Sequence, residues 1–322
     1  MNFRQMRVAV VIAAHKMFPK LERCLQSFVP LLPDPNDLVF VDNGSGEKLY
    51  EWVQTQFPEI TVIRLTENRY FCGGYNTGIQ VAIDRGYDFV LIVNADTEVI
   101  NPGVLAELLE AARRWPRAAF IGPLVYFRSQ AVVQKTCLQF PGVLRSAAIW
   151  LPWRLFPGYF QRQPREETTV ELLNGVCVLC GIKALQEIGL MDEKMGGYAE
   201  DYDWSWRALE KGWVSVFTPI PSVIHHETPL GYEFYSLKTF LEKRNTVYWY
   251  LKIGRRYSAW SYAQASIVLV IARLLAVHSA YERQKHRYFL QRLAKAFNGL
   301  LRDEPLGEWF GPPLGSWDGH VS

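Results

Sequence analysis

Two clusters in this chain of 322 residues have side chains of the types and spacing that chemistry needs: Asn94-Ala95-Asp96 and Glu200-Asp201-Tyr202-Asp203. In the first, two oxygen-bearing side chains alternate, which suits a hard divalent cation, Mg2+ or Mn2+, that also holds a diphosphate. A cation so placed bridges the phosphates and offsets charge on a departing nucleotide. A turn rich in Asn and Asp that caps a helix is the other reading of the same residues. In the second cluster, carboxylates crowd the start of a helical segment, where mutual repulsion can raise one pKa and make that group a base. Asp201 is the expected base, with Glu200 beside it. Helix capping competes with this reading, and Arg207, four residues after Asp203, would account for Asp203 as an i,i+4 ion pair.

Three further clusters are polar in the same way. Asp42, in Val41-Asp42-Asn43-Gly44-Ser45, can accept a hydrogen bond from a base imide or a ribose hydroxyl, or form an ordinary Asx turn. Asn68-Arg69-Tyr70-Phe71-Cys72-Gly73-Gly74-Tyr75-Asn76 sets two glycines, which permit close backbone approach, before an expected helix whose N-terminus favours phosphate. His225-His226-Glu227 offers imidazoles that could complete a metal site, although loop histidines are more often solvated or structural. Cys177-Val178-Leu179-Cys180 has the spacing of half a zinc site or of a redox pair. It lies in an apolar run with no second Cys pair in the sequence, so buried strand is preferred.

The elements that must position these residues read as alternating strand and helix. Apolar runs at 8–14, 38–41, 60–65 and 89–93 are short, β-branched and bounded by turn residues, as in strands covered on both faces. Between them, 19–28, 47–57 and 75–85 have apolar residues three and four apart. The expected architecture is an α/β fold around a mostly parallel sheet, which binds ligands at the carboxyl ends of its strands. Asp42, residues 68–76 and Asn94 to Asp96 all fall there. Residues 128–170 break the pattern, order returns at 170–180, a helix is expected over 199–211, and a last strand over 213–217 ends at Pro219.

Beyond 229 the composition changes, and two helix-compatible stretches, 237–252 and 262–301, accumulate basic residues. The predicted division is 1–228 as the main α/β domain and 229–322 as a helical C-terminal region. The apolar stretch 265–277 is interrupted by Arg273 and is shorter than the roughly 20 residues of a bilayer span. It is expected either to lie on a membrane surface or to dock in the protein.

Composition is 49% hydrophobic and 21% charged with a net charge of +3, enough apolar residue for a sizeable core and too little charge to point to nucleic acid. Five scattered cysteines fit a reducing compartment. The N-terminal apolar run is too short for a secretory leader. A cytoplasmic protein is expected, with the cytoplasmic face of the membrane as its possible station, and the oligomeric state stays open.

Asp42 to Ser45, Asn68 through Asn76, Asn94-Ala95-Asp96, Glu200 to Asp203 and His225, taken in that order, resemble family 2 glycosyltransferases of the GT-A fold. The likeness is nearest the rhamnosyltransferase-like branch, covers about residues 6–250, and is strongest from Gly189-Leu190-Met191-Asp192-Glu193 through Tyr198 and Trp204 to Arg207 and Gly212. The resemblance implies an inverting transferase that moves a sugar, with rhamnose from dTDP-rhamnose as first choice, from a nucleotide diphosphate donor. The implied acceptor is a hydroxyl of a polysaccharide or a lipid-linked glycan. It places Ala13, Asp42, Asn68, Gly73, Gly74 and Asn76 with Asn94 and Asp96 around the donor, and Asn94, Asp96 and His225 at the metal. Asp201 with Glu200 then serves catalysis, and Asp203 and Arg244, the latter in an Arg244-Asn245 pair, lie toward the acceptor. Asn94 stands where the family usually has Asp, Ala13-Ala14-His15 replaces a Thr-Tyr-Asn type of strand ending, and Tyr75 replaces an Asn.

Two other readings are weaker. A sugar nucleotidyltransferase should carry a glycine- and basic-rich loop after the first strand, where Ala13-Ala14-His15-Lys16-Met17 has no glycine. A non-catalytic nucleotide-sugar-binding or assembly protein has no need of the Glu200-Asp201 pair.

Overall fold

Four β-branched runs form the first half of the sheet: Val8–Ala14 (β1), Leu38–Asp42 (β2), Thr61–Arg64 (β3) and Phe89–Asn94 (β4). They pair in parallel in the order β3-β2-β1-β4, so each connection must cross over the sheet. The crossovers are the helices Pro19–Phe28 (α1), Glu47–Gln56 (α2) and Tyr70–Asp84 (α3). α1 shows why: Leu21, Cys24, Leu25 and Phe28 recur at helical spacing and are all buried. The computed structural model describes residues 6–16, 19–129, 131–142, 163–226, 237–276 and 280–302.

Beyond β4 the sheet becomes mixed. Thr97–Val99 (β5), Val104–Arg114 (α4), Ala118–Phe127 (β6), Cys137–Leu138 (β7), Thr168–Val170 (β8), Leu172–Leu173 (β9), Cys177–Gly181 (β10), Ile182–Ile188 (α5), Glu200–Glu210 (α6) and Val214–His225 (β11) follow in sequence. β10 lies antiparallel between β4 and β6, and β11 runs parallel to β6 and antiparallel to β5 and β8. Cys177 and Cys180 are buried in β10, where burial pushes the Cys177 thiol up to about 12. That is a packing role.

Two boundaries differ from expectation. β11 does not end at Pro219 but continues to His225, because register shifts between Phe217 and Val223 absorb prolines that cannot donate to the ladder. α3 begins at Tyr70 instead of Tyr75, so Gly73 and Gly74 lie inside the helix and not in a loop before it. Asn43 explains the early start: its Oδ1 accepts from Arg69 N at 2.9 Å and its Nδ2 donates to Tyr70 O at 2.7 Å. Asn68 Oδ1 also accepts from Tyr70 N at 2.8 Å. Side chains thus fix the first turn, with Tyr70 left-handed at φ 57.

The glycines serve close approach. A Cβ on Gly74 would sit 2.8 Å from Asn43 Nδ2, and one on Gly78 would sit 2.4 Å from Val11 Cγ1.

The described residues divide into two units, each built on its own contacts. The first holds 6–16, 19–129, 131–139, 163–193 and 201–226, and the second holds 140–142, 194–200, 237–276 and 280–302. The second unit therefore takes in two short stretches besides the C-terminal helices. Those helices are Leu237–Lys252 (α7), Arg256–Ala276 (α8) and Ala280–Leu301 (α9), so the segment expected as one stretch over 262–301 is two helices. Gly254, left-handed at φ 74, closes α7 before α8. Trp249 and Tyr250 of α7 anchor this unit: Trp249 stacks on Phe140 at 5.7 Å, and Tyr250 Oη donates to Pro141 O at 2.7 Å. The irregular stretch expected over 128–170 falls in large part outside the described residues.

Gly78→Ala should lower stability by about 1–3 kcal/mol, although Ala would favour a helix elsewhere by roughly 1 kcal/mol. The fall should show as a lower urea midpoint at unchanged m-value.

Candidate active site

The parallel register brings the polar strand ends together. Ala14 sits beside Asp42 and Ala13 beside Asn94, so β1 lies between the two clusters. Asp42 is fully buried; its Oδ1 accepts from Ser45 N at 2.9 Å, as an Asx turn requires, while its Oδ2 is buried without a hydrogen-bond partner. A buried carboxylate oxygen left without a donor is costly, which sets Asp42 apart from an ordinary Asx-turn residue. His15 and Lys16 crowd the same edge: His15 Nδ1 lies 3.0 Å from Asn43 O, and Lys16 N donates to Ser45 Oγ at 2.6 Å. Ala13 lets α3 come close, since a Cβ on Gly74 would sit 3.3 Å from its own.

Asn94, Asp96 and His225 converge, although His225 is 129 residues beyond Asp96. β5 pairs with the end of β11, Thr97 opposite His225, and this sets His225 Nε2 at 3.1 Å from Asp96 Oδ1 and 3.5 Å from Asn94 Nδ2. Gln134 Oε1 lies 2.9 Å from His225 Nδ1. An amide oxygen accepts only, so Nδ1 donates to Gln134 and Nε2 is the nitrogen that faces the Asp96 carboxylate. That contact is favourable only if Nε2 is protonated or a cation joins the two atoms. Burial works to raise the Asp96 carboxyl, but the hydrogen bond and charge of His225, with Lys20, outweigh it and hold the group below its ordinary value.

These atoms suit a cation that takes most ligands from elsewhere. Among the described residues no three His, Cys, Asp or Glu side chains form a cage. Asp96 Oδ1 and His225 Nε2 would supply two ligands, and the Asn94 amide must turn to offer its oxygen. Mg2+ and Mn2+ accept such a set when phosphate oxygens and water complete the shell.

The acidic helix α6 is held by its own motif. Asp203 is buried and its Oδ2 accepts from Arg207 Nε at 2.8 Å, the i,i+4 ion pair that the spacing offered. Arg207 also donates to the carbonyls of Ile188, Gly189 and Leu190, and Trp204 Nε1 donates to Gly189 O at 2.9 Å. These bonds satisfy the C-terminus of α5. Asn76 likewise has partners within the chain: its amide brackets Met191, donating to the carbonyl at 2.9 Å and accepting from the N–H at 3.1 Å. It positions the loop, and its Nδ2 also donates to Glu193 Oε1 at 3.2 Å.

At the start of α6, Asp201 Oδ1 accepts from Tyr202 N at 3.0 Å. The carboxyl whose pKa rises is Glu200, and the cause is burial, not crowding. Its Oε2 is buried without a hydrogen-bond partner, and burial pushes the group from its ordinary 4.5 up to about 7. The residue as a whole is only partly covered, so the buried oxygen carries the shift.

Arg244 also differs from expectation. It is buried within the second unit, where its guanidinium donates to the carbonyls of Lys194 and Met195 at 3.0 and 2.9 Å and to the side chain of its neighbour Asn245. Asn245 Nδ2 is shared among the carbonyls of Met195, Gly197 and Tyr198 at 2.9, 2.8 and 2.7 Å. The pair ties down a loop in which Gly196, Tyr198 and Ala199 are all left-handed and which runs straight into α6. Gln134, which orients His225, is a residue that sequence reasoning did not single out. Gln134 lies in a stretch without periodicity, and no local pattern marks it.

The family model described as glycosyl transferase family 2 matches residues 9–189. The N-acetylglucosaminyl-diphospho-decaprenol L-rhamnosyltransferase of Mycobacterium tuberculosis is 29% identical over 238 residues, which cover 68% of this chain and 75% of that protein. A low-salt glycan biosynthesis hexosyltransferase of Haloferax volcanii is 25% identical over 190 residues, covering 59% of this chain and 58% of its own. Among solved structures, GalNAc-T7 with UDP, GalNAc and Mn2+ superposes with a TM-score of 0.60 at 17% identity, over 94% of this chain and 57% of that one. The mannosyltransferase PcManGT from Pyrobaculum calidifontis, in complex with GDP-Man and Mn2+, gives 0.54 at 16% identity over 94% and 89%. The structural likeness shows the fold, which is of the GT-A type.

The raised Glu200 carboxyl predicts a pH dependence of stability. The folded chain holds this proton more tightly than the unfolded chain, so the contribution is full below 4.5 and is lost as pH rises through about 7. Glu200→Gln should therefore gain stability relative to the parent across that window, read as the difference in urea midpoint against pH. A constant difference would show that Glu200 does not titrate there.

Proposed function

Since the chain belongs to glycosyl transferase family 2, we propose that it is an inverting, metal-assisted transferase of the rhamnosyltransferase-like branch. Membership makes it a glycosyltransferase that uses nucleotide-sugar donors. The finer reading is rhamnose from dTDP-rhamnose, passed to a hydroxyl of a growing polysaccharide or lipid-linked glycan at the cytoplasmic face of a membrane. The mycobacterial relative, a rhamnosyltransferase by name with a diphospho-decaprenol acceptor, supports sugar and acceptor class together.

The observation that carries the reading is the convergence on one sheet edge of Asp42, whose buried Oδ2 has no hydrogen-bond partner, and the Asn94, Asp96 and His225 group. Asp42 Oδ2 accepts from the base imide or a ribose hydroxyl. Asn94, Asp96 and His225 would hold a divalent cation, which would supply positive charge against the departing diphosphate. The Asp201 carboxylate takes the proton of the acceptor hydroxyl as that oxygen bonds to the anomeric carbon. The bond from that carbon to the diphosphate breaks on the opposite face, and the nucleoside diphosphate departs with the electron pair. The configuration inverts because a single displacement exchanges the two oxygens across the ring.

Asp201→Asn should lower kcat by about 10²–10⁴-fold while leaving dTDP affinity, measured by calorimetry, unchanged. Transfer at the parental rate would remove Asp201 as the base. Donor affinity titrated with and without EDTA tests the metal: weaker binding on chelation is expected, and indifference to the chelator would remove Asp96 and His225 as ligands.

A further inference from the structure

The C-terminal helices segregate charge and apolar surface in a way that transfer chemistry does not use. Residues 237–302 carry 13 Lys and Arg against two Glu, an excess of eleven positive charges in a chain whose total is +3. The rest of the chain therefore carries −8. Within this basic unit α8 turns Ala259, Ala263, Ser266 and Val270 inward. On another face Tyr257, Trp260, Val268, Ile271 and Leu275 stand 75%, 52%, 55%, 40% and 80% exposed. Their spacings of three, eight, three and four keep them on one stripe. Arg255 and Arg256 are exposed just before its first residue, and Arg273 is exposed away from the stripe, on the side of Val270.

We propose that α8 docks this chain on an anionic lipid bilayer, lying in the headgroup plane with Trp260, Val268, Ile271 and Leu275 among the acyl chains. An apolar stripe with aromatic residues inside a basic unit is the composition such a surface recognises. Each Lys or Arg near an anionic leaflet adds about 1 kcal/mol. A second copy of this chain would bring its own eleven-charge excess against the first, so the charge favours lipid over self-association.

α8 has the length and apolarity to cross a membrane, with a mean hydropathy of 1.4. It packs against α7 and α9, however, and these carry Lys243, Arg244, Arg287, Arg292 and Lys295. Taking each such charge into hydrocarbon costs about 2.5–3.5 kcal/mol, so the helix lies on the bilayer instead of through it. The inference rests on the lipid-linked acceptor reading only for its use, and binding is measured apart from transfer.

The full chain is floated with vesicles of phosphatidylcholine alone and with added phosphatidylglycerol, beside the double variant Trp260→Glu/Leu275→Glu. Flotation with the anionic vesicles only, release by high salt, and a partition coefficient at least about tenfold lower in the variant support the proposal. An unchanged melting curve and unchanged hydrolysis of the nucleotide-sugar donor show that the variant is folded and active. Absence of flotation at low salt, equal flotation of parent and variant, or retention until detergent is added each overturns it. Dimerisation of the parent by sedimentation that the variant loses would also overturn it, assigning the face to a second copy. Loss of donor hydrolysis by the parent, with lipid binding intact, would count against the transferase reading alone.

Discussion

The parallel hydrogen-bonded register of β1 between β2 and β4 is the constraint on which the site depends. Parallel ladders admit no slip without moving every side chain to the other face, and all residues of β2 are buried. With Ala14 fixed beside Asp42 and Ala13 beside Asn94, two polar loops must open at the same edge. Both faces of these strands are covered, so polar side chains can appear only at strand ends. The carboxyl edge is where they do appear.

Asn43 converts that strand geometry into a helix start. It bonds Arg69 and Tyr70 through both ends of its amide and packs against the glycine face of α3. The glycines that resemble a phosphate loop in sequence are thereby spent on helix-to-sheet approach. Their backbone N–H groups lie inside a helix, where all but those of the first turn are already bonded. The same economy governs the second acidic cluster. Asp203, Trp204 and Arg207 form a scaffold around the end of α5, and Asp201 and Glu200 remain at the helix start.

Burial sets the pKa of one carboxyl, and a partner overrides burial at another. Glu200 has an oxygen removed from water and rises to about 7, and burial alone suffices for a shift of that size. At Asp96 the same desolvation is outweighed by His225, whose ring is oriented by Gln134. Two acids under one influence move in opposite directions because only Asp96 has His225 and Lys20 beside it.

The sequence by itself determined the alternation of strand and helix over the first hundred residues, since each run carries its own periodicity and turn residues. It also determined the ends of those strands as the ligand edge, the acidic helix start at Glu200 and Asp201, and the basic C-terminal helices. Only the tertiary structure decided what Asn76, Asp203 and Arg244 bond within the chain, because their partners are backbone carbonyls and side chains brought close by folding and not by spacing. The exception is the Asp203 to Arg207 pair, legible as an i,i+4 contact. Tertiary structure alone also set His225 against Asp96 through a strand that passes two prolines. Local pattern fixes an element; what its polar atoms meet depends on pairing at long range, which no window of sequence contains.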